Sequence, residues 1–438
     1  MDLFSIPFRS NYTNGLSSTR TYVISVLDIG STKTVCIIGM LVPHTTDFLP
    51  ERTHRVEIIG IACQKSHGVK MGAIIDIDAA EKVVRQVVDV AEQMAGFTVD
   101  SLLVNISAGR LESSQHSVDM KVGWREVKKS DIKTLIKSSQ HYSCDQKRSL
   151  LHSIITDYSL DGKFGITSPI SMFAERIGMD MHMITVEKSA MKNLEVVINR
   201  AHLSVEKMIA SPYASGLAVL VNDEFELGSV VIDMGGETTK IAVFEKGKLL
   251  YTDVIAIGGS HVTNDLARGL SISIDNAERL KVMNASIIPS MVDEHDLLSI
   301  PSIGNSDQDD IVKVSRAMIS RIVRARIEET FELIEDRIKK SLFSSLKGKR
   351  IILTGGASQL TGLQEMIRHN ICSNVRIGSP LGVVGLPFPA RNPAFATAIG
   401  LMVYPQFIAR EVDYVEDYSS FWNIEKIPLL KNWFRYSS

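Results

Sequence analysis

Two short phrases hold the residues best suited to chemistry. The first is VLDIGSTKT, residues 26–34, and the second is VIDMGGETTK, residues 231–240. Each runs from apolar, strand-like text into an aspartate, then into glycine and small or hydroxyl residues. A turn of that composition exposes backbone N–H groups and lets an anion come close. The first turn offers Gly30, Ser31 and Thr32, followed by Lys33, a point charge suited to β- and γ-phosphates. The second offers Gly235, Gly236 and Glu237, with hydroxyls from Thr238 and Thr239 for phosphate oxygens. Asp28 and Asp233 fall at strand ends. Two carboxylates facing each other across a cleft can hold a hydrated Mg²⁺, which keeps most of its waters. Either turn alone reads as an ordinary hairpin. A hairpin has no need of a second one with the same chemistry.

Further clusters point the same way. LTGGASQLTG, residues 353–362, follows a strand and precedes a helix, and Gly355, Gly356 and Ala357 let a flat ring or a ribose lie on the backbone. IGGSHVTNDLA, residues 257–267, places Gly259 at the end of a strand. In AERLK, residues 277–281, Glu278 and Lys281 share a helical face, the pattern of a solvated surface pair when taken alone.

The elements that must position these residues repeat. Residues 23–28, 33–40 and 56–63 read as strands, and an amphipathic helix is expected over 77–96 from the spacing of Val83, Val84, Val87, Val88 and Ala91. Strands are expected again at 228–234, 239–244 and 248–255, with Gly247 in a tight turn. A long helix is expected from about 311 to 342. Residues 108–182 are more polar and read as a strand-poor inserted subdomain. The chain is thus an α/β protein with an internal duplication, too long in period for a solenoid.

With 438 residues, the chain has room for two or three domains. Its net charge of −2 leaves no electrostatic footprint for nucleic acid. The four cysteines are scattered with no CxxC pair, which suits a reduced, cytoplasmic setting. No apolar run reaches the about 18 residues of a membrane span. Residues 1–20 read as a flexible tail and 405–420 as a linker. The last segment, FWNIEKIPLLKNWFRYSS, divides as a helix into an apolar face with Ile427, Leu430, Trp433 and Phe434, and a basic face with Lys431 and Arg435. That is the pattern of an interfacial membrane helix, with docking on the protein's own core as the alternative. A single copy of so short a helix binds weakly; many copies on one polymer bind strongly.

In this order the motifs resemble the ATPase fold shared by actin, the heat-shock chaperones and hexokinase. Within it they are most similar to the bacterial cell-division family FtsA. The likeness covers about residues 21–404 and includes GVKMGAIIDIDAAEKVVRQVVDVAEQMAG after the first hairpin and NPAFATAIGL near the end. The late position of the insertion is similar to that family's displaced subdomain, used in self-association. The resemblance implies two duplicated domains around a nucleotide cleft. Subdomain 1A takes 21–107, 183–210 and 379–404, and 1C takes 108–182. Subdomain 2A takes 211–262 and 326–378, 2B takes 263–325, and a membrane-targeting helix takes 421–438.

The resemblance further implies ATP on the two loops, Mg²⁺ near Asp28 and Asp233, and Glu278 and Lys281 near the nucleoside. It implies weak ATPase activity with no catalytic residue that can be named, and a filament at the cytoplasmic face of the membrane at the division site. Implied partners are lipid, other division proteins and the C-terminal peptide of FtsZ, an acidic ligand that Arg321, Arg324 and Arg326 could meet on subdomain 2B. Glu237 departs from the family pattern by bringing a negative charge beside the phosphates. The alternatives are a type IV pilus assembly homologue of actin and a small-molecule kinase of the same fold.

Overall fold

The computed structural model describes residues 16–17, 19–43, 52–139, 145–288, 291–301, 311–341, 346 and 349–412. The expected amphipathic helix, with Ile427, Leu430, Trp433 and Phe434, lies outside the described residues, as do most of the N-terminal tail and the polar loop 302–310.

Two sheets of the same design form the body. In the first, Tyr22–Ile29, Lys33–Pro43 and His54–Lys65 make an antiparallel meander, and Ser101–Ile106 and Ser204–Ala210 extend it in parallel. In the second, Ser229–Met234, Thr239–Glu245 and Lys248–Ile255 make the meander, and Arg350–Thr354 and Val375–Ile377 extend it in parallel. The strand Ser229–Met234 is buried at every residue, and its middle, Val230, Val231 and Ile232, reads as a continuous apolar run. The turn at Lys246 and Gly247 takes positive φ at both residues (52° and 69°), as a two-residue hairpin requires.

Local signals set the helices. Ile77–Ala95 starts where the Asp76 side chain accepts from Ala79 N–H (3.0 Å), and it stops at Gly96 in the left-handed region. Its valine stripe is buried against the first sheet. Two apolar helices, Ser211–Val219 and Ala396–Val403, are buried along their whole length and cross each other between the halves. The crossing is close: a Cβ on Gly400 would stand 1.8 Å from the Ala214 carbonyl oxygen.

Three expectations are corrected. Residues 108–182 are not strand-poor. They carry a sheet in the order Glu112–Glu126, Phe173–Glu187, Arg148–Leu160, Lys163–Ile166, with the helix Lys129–Ser139. In the edge strand, ESSQHSVDMKVGWRE, Val118, Met120 and Val122 form a short apolar stripe on the core side, set in text that is otherwise largely polar. The long helix begins at Arg316, because Ile311–Ser315 pairs as a strand with Leu297–Pro301 and Ser315 then caps the helix. Residues 405–412 do not open a linker. Pro405 and Phe407 are buried, and Val412 N–H donates to the Ser153 carbonyl of the inserted subdomain (2.9 Å).

Candidate functional site: a cleft between two phosphate-type loops

Both halves build the same backbone turn. Gly30 N–H donates to the Lys33 carbonyl (3.0 Å), and Gly235 N–H donates to the Thr238 carbonyl (2.9 Å). Neighbours then take the loop carbonyls. Ser66 Oγ donates to Gly30 O (2.7 Å) and Ser66 N–H to Thr32 O (3.0 Å). In the second half, Gly259 and Ser260 N–H donate to Gly235 O (2.9 Å) and Gly236 O (2.6 Å). Among the described residues, the N–H groups of Ser31, Thr32, Gly236 and Glu237 find no acceptor. Four unused donors on two facing turns make a cradle for an anion.

The loops face one cavity of about 600 Å³. Asp28, Gly30, Ser31, Thr32 and Lys33 line it from the first half, and Asp233, Gly235, Gly236, Glu237 and Thr238 from the second. Gly259, Glu278, Lys281, Gly355, Gly356 and Ala357 form the remaining wall expected from the sequence. The loops nearly touch: a Cβ on Gly236 would stand 2.2 Å from Thr32 Cγ2. The hairpin of Val69–Lys70 and Ala73–Ile74 closes over this end. Its Met71 N–H donates to the Glu237 carboxylate (2.5 Å) and its Gly72 N–H to Ser31 Oγ (2.9 Å). Glu237 therefore spends one oxygen on joining the halves.

Glu278 and Lys281 are not a free surface pair. Glu278 Oε2 accepts from Lys281 Nζ (2.6 Å) and Thr263 Oγ1 (2.5 Å), and Lys281 Nζ also donates to Gly259 O (3.2 Å). The pair ties the helix Ile274–Met283 to the first turn of Gly259–Leu270 on the cavity wall. Thr239 is the exception among the expected ligands. It is buried, its hydroxyl donates to Ile257 O (2.7 Å), and it does not line the cavity. The cause is strand alternation: Thr238 and Lys240 face the cleft, so Thr239 faces the core.

The two aspartates, both expected near Mg²⁺, differ in their surroundings. Asp28 lines the cavity, is only 7% exposed and accepts no hydrogen bond among the described residues. Burial pushes its carboxyl up to about 6, against the pull of Lys240 and Lys33. Asp233 Oδ2 accepts from Ser215 Oγ (2.6 Å), Lys240 Nζ (3.0 Å) and Thr397 Oγ1 (3.2 Å). Burial alone would lower the Lys240 ammonium, but the charges of Asp233 and Asp28 outweigh it and hold it above its ordinary value. Burial lowers Lys33, whose Nζ lies 3.3 Å from the centre of the Phe395 ring. Lys240, Ser215 and Thr397 were missed by sequence reasoning. The signal for Lys240 was its register: Asp233 pairs directly across the strands with Lys240, as Asp28 does with Val35.

The arginines lie away from the cleft on the helix Arg316–Lys340. Arg321 is exposed, Arg324 pairs with Glu328 (2.7 Å), and Arg326 is held by Asp265 (2.5 and 3.0 Å) and Glu329 (2.5 Å). Arg326 is thus a tie between two helices and is not free for a partner.

Two duplicated sheets around a cleft, with a loop from each on its floor, define the actin-like ATPase fold. Solved structures agree at the level of fold. The chain is similar to the PilM–PilN type IV pilus biogenesis complex (14% identity, TM-score 0.58, 87% of this chain and 98% of that one). It is also similar to MreB5 of Spiroplasma citri bound to ADP (12% identity, TM-score 0.51, 90% and 98%). Family models for "Cell division protein FtsA" and "SHS2 domain inserted in FTSA" match residues 230–400 and 108–185. The cell division protein FtsA of Agrobacterium fabrum is 58% identical over 398 residues, covering 91% of this chain and 90% of that protein. That of Escherichia coli is 29% identical over 397 residues, covering 89% and 91%. The chain belongs to the FtsA family of cell division proteins.

Proposed function

We propose that this chain binds ATP between its two halves, self-associates, and tethers the FtsZ ring to the membrane through its C-terminal segment. The observation that carries the nucleotide reading is the single cavity faced by unused N–H donors from both loops. Those donors and Lys33 suit a triphosphate, and Gly355, Gly356 and Ala357 offer a wall for the nucleoside. Asp28 has the free carboxylate that can hold a hydrated Mg²⁺, which would screen phosphate charge. Asp233 does not fit that role, since its Oδ2 is taken by three donors. With no general base named, hydrolysis is expected to be weak. The bound triphosphate then acts chiefly by holding the halves together.

The family supports the remainder. Among the described residues no helix is long and apolar enough to cross a membrane, which fits a peripheral protein at the cytoplasmic face of the division site. Self-association would turn the weakly binding segment 421–438 into a strong anchor by multiplying copies. An acidic peptide from FtsZ would meet Arg321 and, by displacing the exposed Glu328, Arg324, whereas Arg326 is held by both Asp265 and Glu329. Other division proteins would be further partners.

One co-sedimentation experiment with anionic liposomes tests the cleft and the tether together. The full chain should pellet with liposomes more in ATP than without it. Trp433→Glu/Phe434→Glu should lose lipid binding under both conditions. Ala357→Trp, which fills the cavity wall, should lose only the ATP-dependent part. Equal pelleting of the parent and the Trp433/Phe434 variant would remove the tether.

A further inference from the structure

Lys240 sits where a divalent cation would be expected. Its Nζ is 3.0 Å from Asp233 Oδ2, it lines the nucleotide-sized cavity, and its side chain is 11% exposed. It also lies close enough to Asp28 for the two charges to attract. A carboxylate oxygen has two lone pairs, and Asp233 Oδ2 already receives Lys240, Ser215 and Thr397. The other oxygen, Oδ1, faces the backbone of Gly355, where even a Cβ would stand 2.3 Å away. A hydrated ion could bridge from Asp28 to Asp233 only by displacing Lys240. Of the buried charged side chains there, Asp28 and Asp233 stand against Lys33 and Lys240, while Glu237 of the second loop is engaged by Met71 N–H.

We propose that Lys240 is a resident cation of the cleft, clamped on Asp233 and facing the phosphates, so that a nucleoside triphosphate binds with little need for a divalent ion. The inference rests on the nucleotide reading above. It adds that the second loop supplies by side chain the positive charge that Mg²⁺ would bring, leaving Asp28 as the one carboxylate open to a metal. Lys240 is on this account a positioning residue for phosphate.

The test is titration of the full chain with mant-ATP in excess Mg²⁺ and in excess EDTA. The parent should lose less than about tenfold in affinity on going to EDTA, the step that corresponds to about 1.4 kcal/mol. Lys240→Met should lose more than about tenfold in EDTA and recover in Mg²⁺, whereas Lys240→Arg should behave as the parent. Circular dichroism checks that each variant is folded, and the parent's two titrations decide the matter even if Lys240→Met is not. A parent that loses more than about tenfold in EDTA overturns the inference but leaves the nucleotide site standing. A folded Lys240→Met indistinguishable from the parent also overturns it. No binding by the parent in either medium removes the nucleotide reading and this inference with it.

Discussion

The loop after Asp28 and the loop after Asp233 share a backbone and differ in charge. Each closes with glycine N–H on the carbonyl three residues later, and among the described residues each leaves at least two N–H groups unused. Across the strands, Asp28 faces Val35 and Asp233 faces Lys240. At the matching earlier position the first loop has Lys33 and the second has Thr238. The lysine has moved one pleat along the same face of the strand. Duplication here repeats the cradle for the anion but not its electrostatics. One carboxylate is left bare and reluctant to ionise, and the other is locked into a network.

The sharpest way to break this contrast is to truncate each aspartate. Asp233→Ala leaves Lys240 buried without its partner, a change that costs about 3–5 kcal/mol. Urea denaturation should show that loss. A loss as small as that of an ordinary surface substitution would mean that the Asp233 network is not structural.

Asp28→Asn should move the other way. The folded protein holds a proton on Asp28 up to about pH 6, well above the ordinary carboxylate value of 3.8. Between those values the folded state binds more protons than the unfolded chain, so ionising Asp28 costs stability as pH rises through the window. Well above pH 6 the amide should therefore be more stable than the parent by up to about 3 kcal/mol, and the gain should fade as pH drops toward 4. Thermal unfolding of both proteins across this range checks the sign. A gain that grows in acid would contradict it.

The smallest effect concerns the contact that joins the loops. Glu237→Ala removes the acceptor of Met71 N–H and should cost about 1 kcal/mol of closure. Amide exchange at Met71 should quicken by up to about tenfold while the core strands are unchanged. Unaltered exchange would show that the hairpin at 69–74 is held by other contacts.

Much of this site was legible in the sequence because its chemistry is backbone chemistry. Glycines beside aspartates at strand ends announce a turn that can approach an anion, and both such turns face the cavity. What escaped was set by side-chain direction. Thr239 and Lys240 are neighbours in sequence, yet strand alternation sends one to the core and the other to the cleft. Ser215 and Thr397 lie on two apolar helices that read as core, and only the crossing of those helices brings both hydroxyls to Asp233. Arg326 looked free because Asp265, its partner, lies far away in sequence. The sheet of the inserted subdomain escaped for a different reason. Its longest edge strand carries only the short apolar stripe Val118, Met120 and Val122, and its partner Phe173–Glu187 supplies most of the buried residues.

The central claim is that both halves grip one nucleotide. Hydrogen–deuterium exchange of the full chain with and without ATP tests it most directly. The account predicts slowed exchange at Ser31 and Thr32 together with Gly236 and Glu237, N–H groups that find no acceptor among the described residues. Protection of one loop without the other, or of neither, would contradict it.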